Sequence, residues 1–270
     1  MPKVVFWNVQ RSKGLNTGTS DSGVTVGNDI AGIADRTKPD AIVLCELING
    51  YSDSPPIGYT FSEPSTLFAD YFNEDTLRYG LITPENSNHS AFLLPTSDNF
   101  SDTKIRPALG VVLNGSVSFV ALHAISSTSA DRKKIAQAEY AATEMENYFN
   151  ENHKRPNPDV LFGDFNINLA NIPASSVNEM IDKKGPLAGY KVRATKSGTQ
   201  VPGGNKLKEH DDFTDTSAFI SKLDWALLSP DVLGQASIQV LKPQKLSDNS
   251  IRDEFKNEKR SDHLPIVVEW

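Results

Sequence analysis

Two histidines, four carboxylates and two carboxamides stand where apolar runs of this sequence begin or end. Asn8 ends KVVFWN, Glu46 ends AIVLCE and His123 ends VSFVALH. Asp164 and Asn166 end VLFGDFN, Asp224 opens DWALL, and Asp262 and His263 precede LPIVVEW. Singly, each has an ordinary explanation as a turn residue, a strand-edge charge or a satisfied core histidine. Glu46 is the hardest to explain that way, because glutamates are rarely buried without a partner. Together, these residues describe a hydrolytic centre. Glu46, Asp262 and the amide of Asn8 are hard oxygen ligands of the kind magnesium takes, with manganese or calcium as the other candidates. His123 and His263 could polarise a phosphate or move protons, and Asp224 could fix an imidazole tautomer. Asp164 could orient or deprotonate water, with Asn166 on phosphate oxygens. Arg106, just before a strand, has the planar fork that clamps phosphate. The sum is metal-assisted in-line attack of water on phosphorus.

The elements that must hold these side chains are legible from periodicity. Strands are predicted at KVVFWNVQ, DAIVLCEL, SAFLLP, GVVL, VSFVAL, VLFGD, LDWALL and LPIVVEW. Asn114-Gly115 predicts a two-residue hairpin turn. Residues 11 to 28 read as a loop, followed by a helix through Ile30, Ile33 and Ala34 that Pro39 stops. Residues 49 to 76 read as irregular. Ile135, Ala138, Ala142, Met145 and Phe149 form one helical stripe, with Ser129 as its N-cap. A short helix covers Val177 to Ile181, and a polar loop covers 193 to 212. Alternation along an extended chain would put Asp164 and Asn166 on one face. The absence of linkers and repeats predicts a single α/β domain over 1–270, with paired sheets and helices outside.

The chain carries one cysteine, Cys45, so it has no internal disulfide and no multi-thiolate zinc cluster. A net charge of -7 argues against a protein that coats polyanions, but not against one that meets phosphate through bound cations. No apolar stretch is long enough to span a bilayer, and stable membrane association is not expected. The first residues lack the layout of a signal peptide, which points to the cytoplasm or to export without such a signal.

The motifs WNVQ, IVLCEL, RPALG, ALHA, GDFN, LDWA and SDHLP occur in the order seen in the endonuclease/exonuclease/phosphatase superfamily, which the chain resembles from residue 5 to 268. The WNVQ, RPALG and LDWA versions look like those of the catalytic subunit of cytolethal distending toxins. The resemblance implies a deoxyribonuclease-I-like fold, a four-layer sandwich of two packed, mainly antiparallel sheets flanked by helices. It implies that Asn8, Glu46 and Asp262 surround a divalent metal and that Asp164 and Asn166 serve water and phosphate. His123 and His263 would be the histidine pair, with Asp224 behind His263. Arg106 would contact phosphate, and Thr199, of the pair Thr199-Gln200, would add a second contact.

Three departures from the family pattern stand out. Relatives often support the first histidine with an acidic residue near the strand SAFLLP, where this chain has His89 and Ser90. Cys45 replaces a glutamine, and alternation predicts that it faces away from Glu46 as a core residue. No arginine follows Glu46 to reach into a nucleic-acid groove. Outside the set, His153 reads as a helix-end residue and His210 as part of a solvated loop. Lys206 and Lys208 are candidate backbone contacts.

The leading expectation is a magnesium-dependent endonuclease acting on DNA. The alternative within the same fold is a phosphoinositide phosphatase or sphingomyelinase-type phosphoesterase. An inactive binding module is a third reading, which the intact set of candidate residues disfavours.

Overall fold

Val4 and Phe6 face one way along the first strand, and Val5 and Trp7 the other, so both faces of this strand are apolar and covered. The computed structural model describes residues 1–9, 21–47, 55–62, 64–66, 78–97, 106–125, 130–152, 157–199, 221–241 and 263–270. Its elements in chain order are β1 (Lys3–Asn8), α1 (Asp21–Thr37), β2 (Ala41–Leu47), β3 (Tyr59–Ser62), β4 (Ser65–Thr66), β5 (Arg78–Pro84), β6 (His89–Leu94), β7 (Ala108–Leu113), β8 (Val117–His123), α2 (Asp131–Asn152), β9 (Val160–Asp164), α3 (Ala174–Met180), β10 (Lys191–Arg193), β11 (Asp224–Leu228), β12 (Ser237–Val240) and β13 (Ile266–Glu269).

The strands form a six-stranded sheet, β12-β13-β1-β2-β5-β3, and a seven-stranded sheet, β10-β11-β9-β8-β7-β6-β4. Pairings are antiparallel except β1 with β2, β4 with β6 and β8 with β9. The inner faces meet in a core that includes Phe6, Val43, Phe119 and Phe162. The rings of Phe6 and Phe162 meet edge-on across the interface at 6.0 Å. Ile30, Ile33 and Ala34 of α1 pack on the outer face of the first sheet. Ile135, Ala138, Ala142 and Met145 of α2, and Val177 of α3, cover the outer face of the second. The result is the four-layer sandwich the resemblance implies.

Several local expectations are corrected. The helix α1 begins at Asp21, inside the stretch expected to be loop through residue 28. Gly23, Thr25, Gly27 and Asn28 are weak helix formers, but a helix nucleated on the packed stripe from Ile30 extends through them. The stretch 49 to 76 is not wholly irregular: it contains β3 and β4. Strand β5, RYGLITP, was not anticipated, nor were β10 and β12, short strands at the ends of the sheets. Their half-buried patterns offer little periodic signal. The hairpin turn has Asn114 at φ 50 and Gly115 at φ 65, with Ser116 N–H donating to the Leu113 carbonyl at 3.1 Å. Because Leu113 pairs with Val117, three residues link the strands, not two.

Candidate active site

β1, β2, β8 and β9, at or beside the centres of their sheets, end at one place, where β11, the neighbour of β9, begins. Parallel pairing aligns Asn8 with Cys45 and His123 with Asp164, and antiparallel pairing sets Asp224 opposite Asp164. The sandwich therefore delivers side chains from both sheets to a common cluster.

Asp164 is its centre. Its Oδ2 accepts from Asn8 Nδ2 at 3.2 Å and lies 3.6 Å from His123 Nε2 and 3.7 Å from His263 Nε2. Its Oδ1 accepts from the Asn166 backbone N–H at 2.9 Å. Burial pushes the Asp164 carboxyl up to about 6; the charges of Asp224 and Glu46 add to the rise, while His263 and the Asn166 N–H oppose it. The strand ends at Asp164, and Asn166 lies beyond it at φ 53, so the two do not share a face by pleating as alternation predicted. An aspartate-to-backbone turn brings them together. Gly163, at φ 141, makes the approach feasible: a Cβ there would meet the Leu122 carbonyl oxygen at 2.0 Å.

Glu46 reaches the site by a different device. Ile42 and Leu44 point toward α1, and strict alternation would send Glu46 after them. Instead, β2 shifts register between Leu44 and Leu47, and Glu46 adopts φ 61. This bulge turns the carboxylate toward the second sheet, 3.2 Å from His123 Nε2 and 3.7 Å from Arg106 Nη1. Such a conformation costs about 1–3 kcal/mol, and such strain clusters at functional sites. Cys45 keeps the inner face that alternation with Ala41 and Val43 gives it; Glu46 is the residue that departs, so the two do not face opposite ways as expected. Cys45 is nonetheless a core residue, since burial first, and then the carboxylates of Glu46, Asp164 and Asp224, push its thiol well up.

His123 is buried, and burial, then Arg106 and His263, hold it well below its ordinary value, so it is neutral at pH 7. The Arg106 guanidinium lies against His123 Nε2 and also donates to the Ala124 carbonyl at 3.4 Å. No partner for His123 Nδ1 is found among the described residues. His89 does not supply one: its ring nitrogens lie 3.3 Å from the hydroxyls of Ser62 and Thr83. His263 is better supported. Asp224 Oδ2 sits 2.9 Å from its Nδ1, and the Trp7 indole N–H donates to its carbonyl at 2.9 Å.

Thr199 does not stand where a phosphate contact was expected. It is 0% exposed, and its hydroxyl accepts from the backbone N–H groups of Leu223 and Asp224 and donates to the Ser221 carbonyl. Its own carbonyl accepts from Leu264 N–H. Its place is beneath Asp224 and His263, joining their backbones. Asp262 lies outside the described residues, as do Ser129, Gln200, His153, Lys206, Lys208 and His210.

Two donor sets could hold a cation. Asp164, Asp224 and His263 offer ligand atoms within 4.8 Å of one another. The shortest contact there is the hydrogen bond between Asp224 and His263 Nδ1, whose proton a ligating nitrogen would have to surrender. Asn8 and Glu46, on adjacent strand ends, offer hard oxygens beside the Asp164 carboxylate and fit magnesium or calcium better.

Sequence reasoning missed three supporting residues. Trp7 ties β1 to His263. Lys134 and Gln137, both buried on α2, reach the segments that follow β9 and β8. Polar residues bordering the apolar stripe of α2 were the available signal.

No family model and no curated protein matches the chain. Solved structures do. It is similar to a mannosyl-6-phosphatase from Bacteroides thetaiotaomicron (14% identity, TM-score 0.59, covering 100% of this chain and 99% of that one). It is similar to cytolethal distending toxin from Actinobacillus actinomycetemcomitans (15%, 0.55, 98% and 97%). It is also similar to D. rerio TDP2 complexed with a single-strand DNA product (16%, 0.54, 100% and 99%). These likenesses, over nearly the whole length of each chain, show that this protein has the fold of the endonuclease/exonuclease/phosphatase superfamily.

Proposed function

We propose that the protein is a magnesium-dependent phosphodiesterase and that its substrate is DNA. One observation carries this reading: Asp164, with its carboxyl raised to about 6, sits between two buried histidines and beside the Glu46–Arg106 pair. That is an acid–base group poised near neutrality, inside a polar cluster that burial would otherwise penalise.

In this reading Asp164 orients a water molecule and takes its proton as the new oxygen–phosphorus bond forms and the ester bond breaks. At 3.6 and 3.7 Å the imidazole nitrogens lie beyond direct hydrogen-bond length of the carboxylate, so a water or phosphate oxygen set to one side could meet both the carboxylate and an imidazole. Asn166 uses one amide hydrogen on the Ala124 carbonyl at 2.8 Å, and its second is available to phosphate. Asp224 keeps the His263 proton on Nδ1, and Arg106 presents positive charge to the phosphate. Asn8 and Glu46, with Asp262, would hold the ion, which supplies charge neutralisation at the phosphate and leaving oxygens. Asp224 and Thr199 act from behind.

The DNA product held by one structural relative and the toxin-like motifs favour a nuclease. The likeness to a sugar phosphatase favours a phosphomonoesterase as the second reading. A direct comparison tests the two. The purified protein with magnesium is given duplex oligonucleotide, single-stranded oligonucleotide, mannose 6-phosphate and phosphoinositide. Cleavage of the oligonucleotides alone is expected. Phosphate release from a monoester, with intact oligonucleotides, would overturn the nuclease reading.

A further inference from the structure

The short turn that carries Asn166 is secured from outside the sandwich by helix α2. Lys134 Nζ donates to the Asn166 carbonyl at 2.6 Å and lies 3.2 Å from Asp131 Oδ1, one turn back on the same helix. One turn on, Gln137 Oε1 accepts from the Ile125 N–H at 3.0 Å. Both side chains are buried, at 8% and 7% exposure. Burying an ammonium is costly unless it is paired and hydrogen-bonded, and a simple cover for the sheet would carry apolar residues there, as Ile135 and Ala138 do.

The two contacts fall on equivalent points. Ile125 lies just past His123, the last residue of β8, and Asn166 just past Asp164, the last residue of its parallel neighbour β9. Between them, Ala124 N–H donates to the Asp164 carbonyl at 2.8 Å, and Asn166 Nδ2 donates to the Ala124 carbonyl. The Asn166 backbone is left-handed, a conformation that asparagine tolerates better than most residues but that the contacts around it must still hold in place. Its N–H is the donor that holds Asp164 Oδ1. A cation on the Asn166 carbonyl therefore acts, through the φ/ψ of this one residue, on the N–H that orients the Asp164 carboxylate.

We propose that Lys134 is a positioning residue, which with Gln137 fixes the left-handed turn at Asn166 and so sets the geometry of Asp164 and Asn166 toward substrate. The inference rests on the phosphodiesterase reading for its kinetic consequence, but not for its structural one. Lys134 touches no substrate.

Lys134→Met keeps the length and apolar stem of the side chain and removes the donor. In hydrogen–deuterium exchange, the amides of residues 164–168 are expected to lose protection selectively, with the strands β1, β7 and β11 unchanged. In magnesium-dependent DNA cleavage, kcat is expected to fall on the order of 100-fold, as misplacement of reacting groups does, with KM nearly unchanged. Lys134→Arg, which restores a cationic donor, should recover most of kcat. If Lys134→Met does not fold, Lys134→Leu, which is shorter and likewise has no donor, gives the same comparison. Wild-type protection at 164–168 in the variant, or loss of protection spread across the whole chain, would overturn the proposal. An inactive wild type would overturn the phosphodiesterase reading and leave the exchange comparison to decide this one.

Discussion

Asp224 Oδ2 lies 2.9 Å from His263 Nδ1, with both side chains buried, Asp224 at the start of β11 and His263 just before β13 of the opposite sheet. The carboxylate makes the Nδ1–H tautomer the stable one and points Nε2 at Asp164. Asp224→Asn keeps the shape and can reverse the hydrogen bond, leaving the wrong nitrogen protonated. Turnover in DNA cleavage is expected to fall by roughly 10²- to 10⁴-fold, the range for loss of a positioned acid–base group. A variant within about threefold of wild type would remove His263 from the reaction.

Asp164 is expected to behave as a liability for the fold. Its folded value of about 6 lies above the ordinary 3.8, so the native state holds its proton more tightly than the unfolded chain does. The stabilisation this gives is full below about pH 4 and is lost as pH rises through about 6. Asp164→Asn removes the ionisation, so in EDTA at pH 7.5 the variant should melt several degrees higher than wild type while cleaving no DNA. The two melting curves should converge near pH 4. A variant that melts lower at pH 7.5 would contradict this.

Metal dependence should be centred on Glu46. In thermal unfolding, magnesium is expected to raise the wild-type melting temperature with concentration, as a ligand of the native state must. Glu46→Gln keeps the bulge and removes the charge, so the concentration needed for the same shift should rise at least about tenfold. An unchanged magnesium response in Glu46→Gln would place the ion elsewhere, for instance among Asp164, Asp224 and His263.

Gly163→Ala is expected to be severe although it adds one methyl group. The new Cβ would stand 2.0 Å from the Leu122 carbonyl oxygen at a φ of 141. Neither strand can yield without moving His123 or Asp164, so destabilisation of about 3 kcal/mol or more is expected by denaturant unfolding.

Much of this site is legible from residue order because polar residues that close or open apolar runs mark the strand ends. Asn8, His123, Asp164 and Asp224 each mark a strand terminus in the sequence, and each is found at one. What the sequence hides is where the backbone leaves the regular pleat. The bulge at Glu46 and the turn at Asn166 both depend on left-handed residues; asparagine is a weak flag for such a turn, but a glutamate carries none. Alternation therefore places Cys45 correctly but misplaces Glu46, and it gives the wrong reason for the pairing of Asp164 with Asn166. Contacts distant in sequence are equally silent: Trp7 with His263, Lys134 with Asn166, and Thr199 with Asp224. β10 and β12 are short and half-exposed, and their pairing is decided by the neighbours β11 and β13 more than by their own residues.

Plasmid nicking by wild type and His263→Ala, each in magnesium and in EDTA, tests the central claim most directly. The wild type should convert supercoiled DNA to the nicked form in magnesium and leave it intact in EDTA, while His263→Ala should leave it intact in both. Nicking by wild type in EDTA, nicking by His263→Ala at the wild-type rate, or no magnesium-dependent nicking by wild type would contradict it.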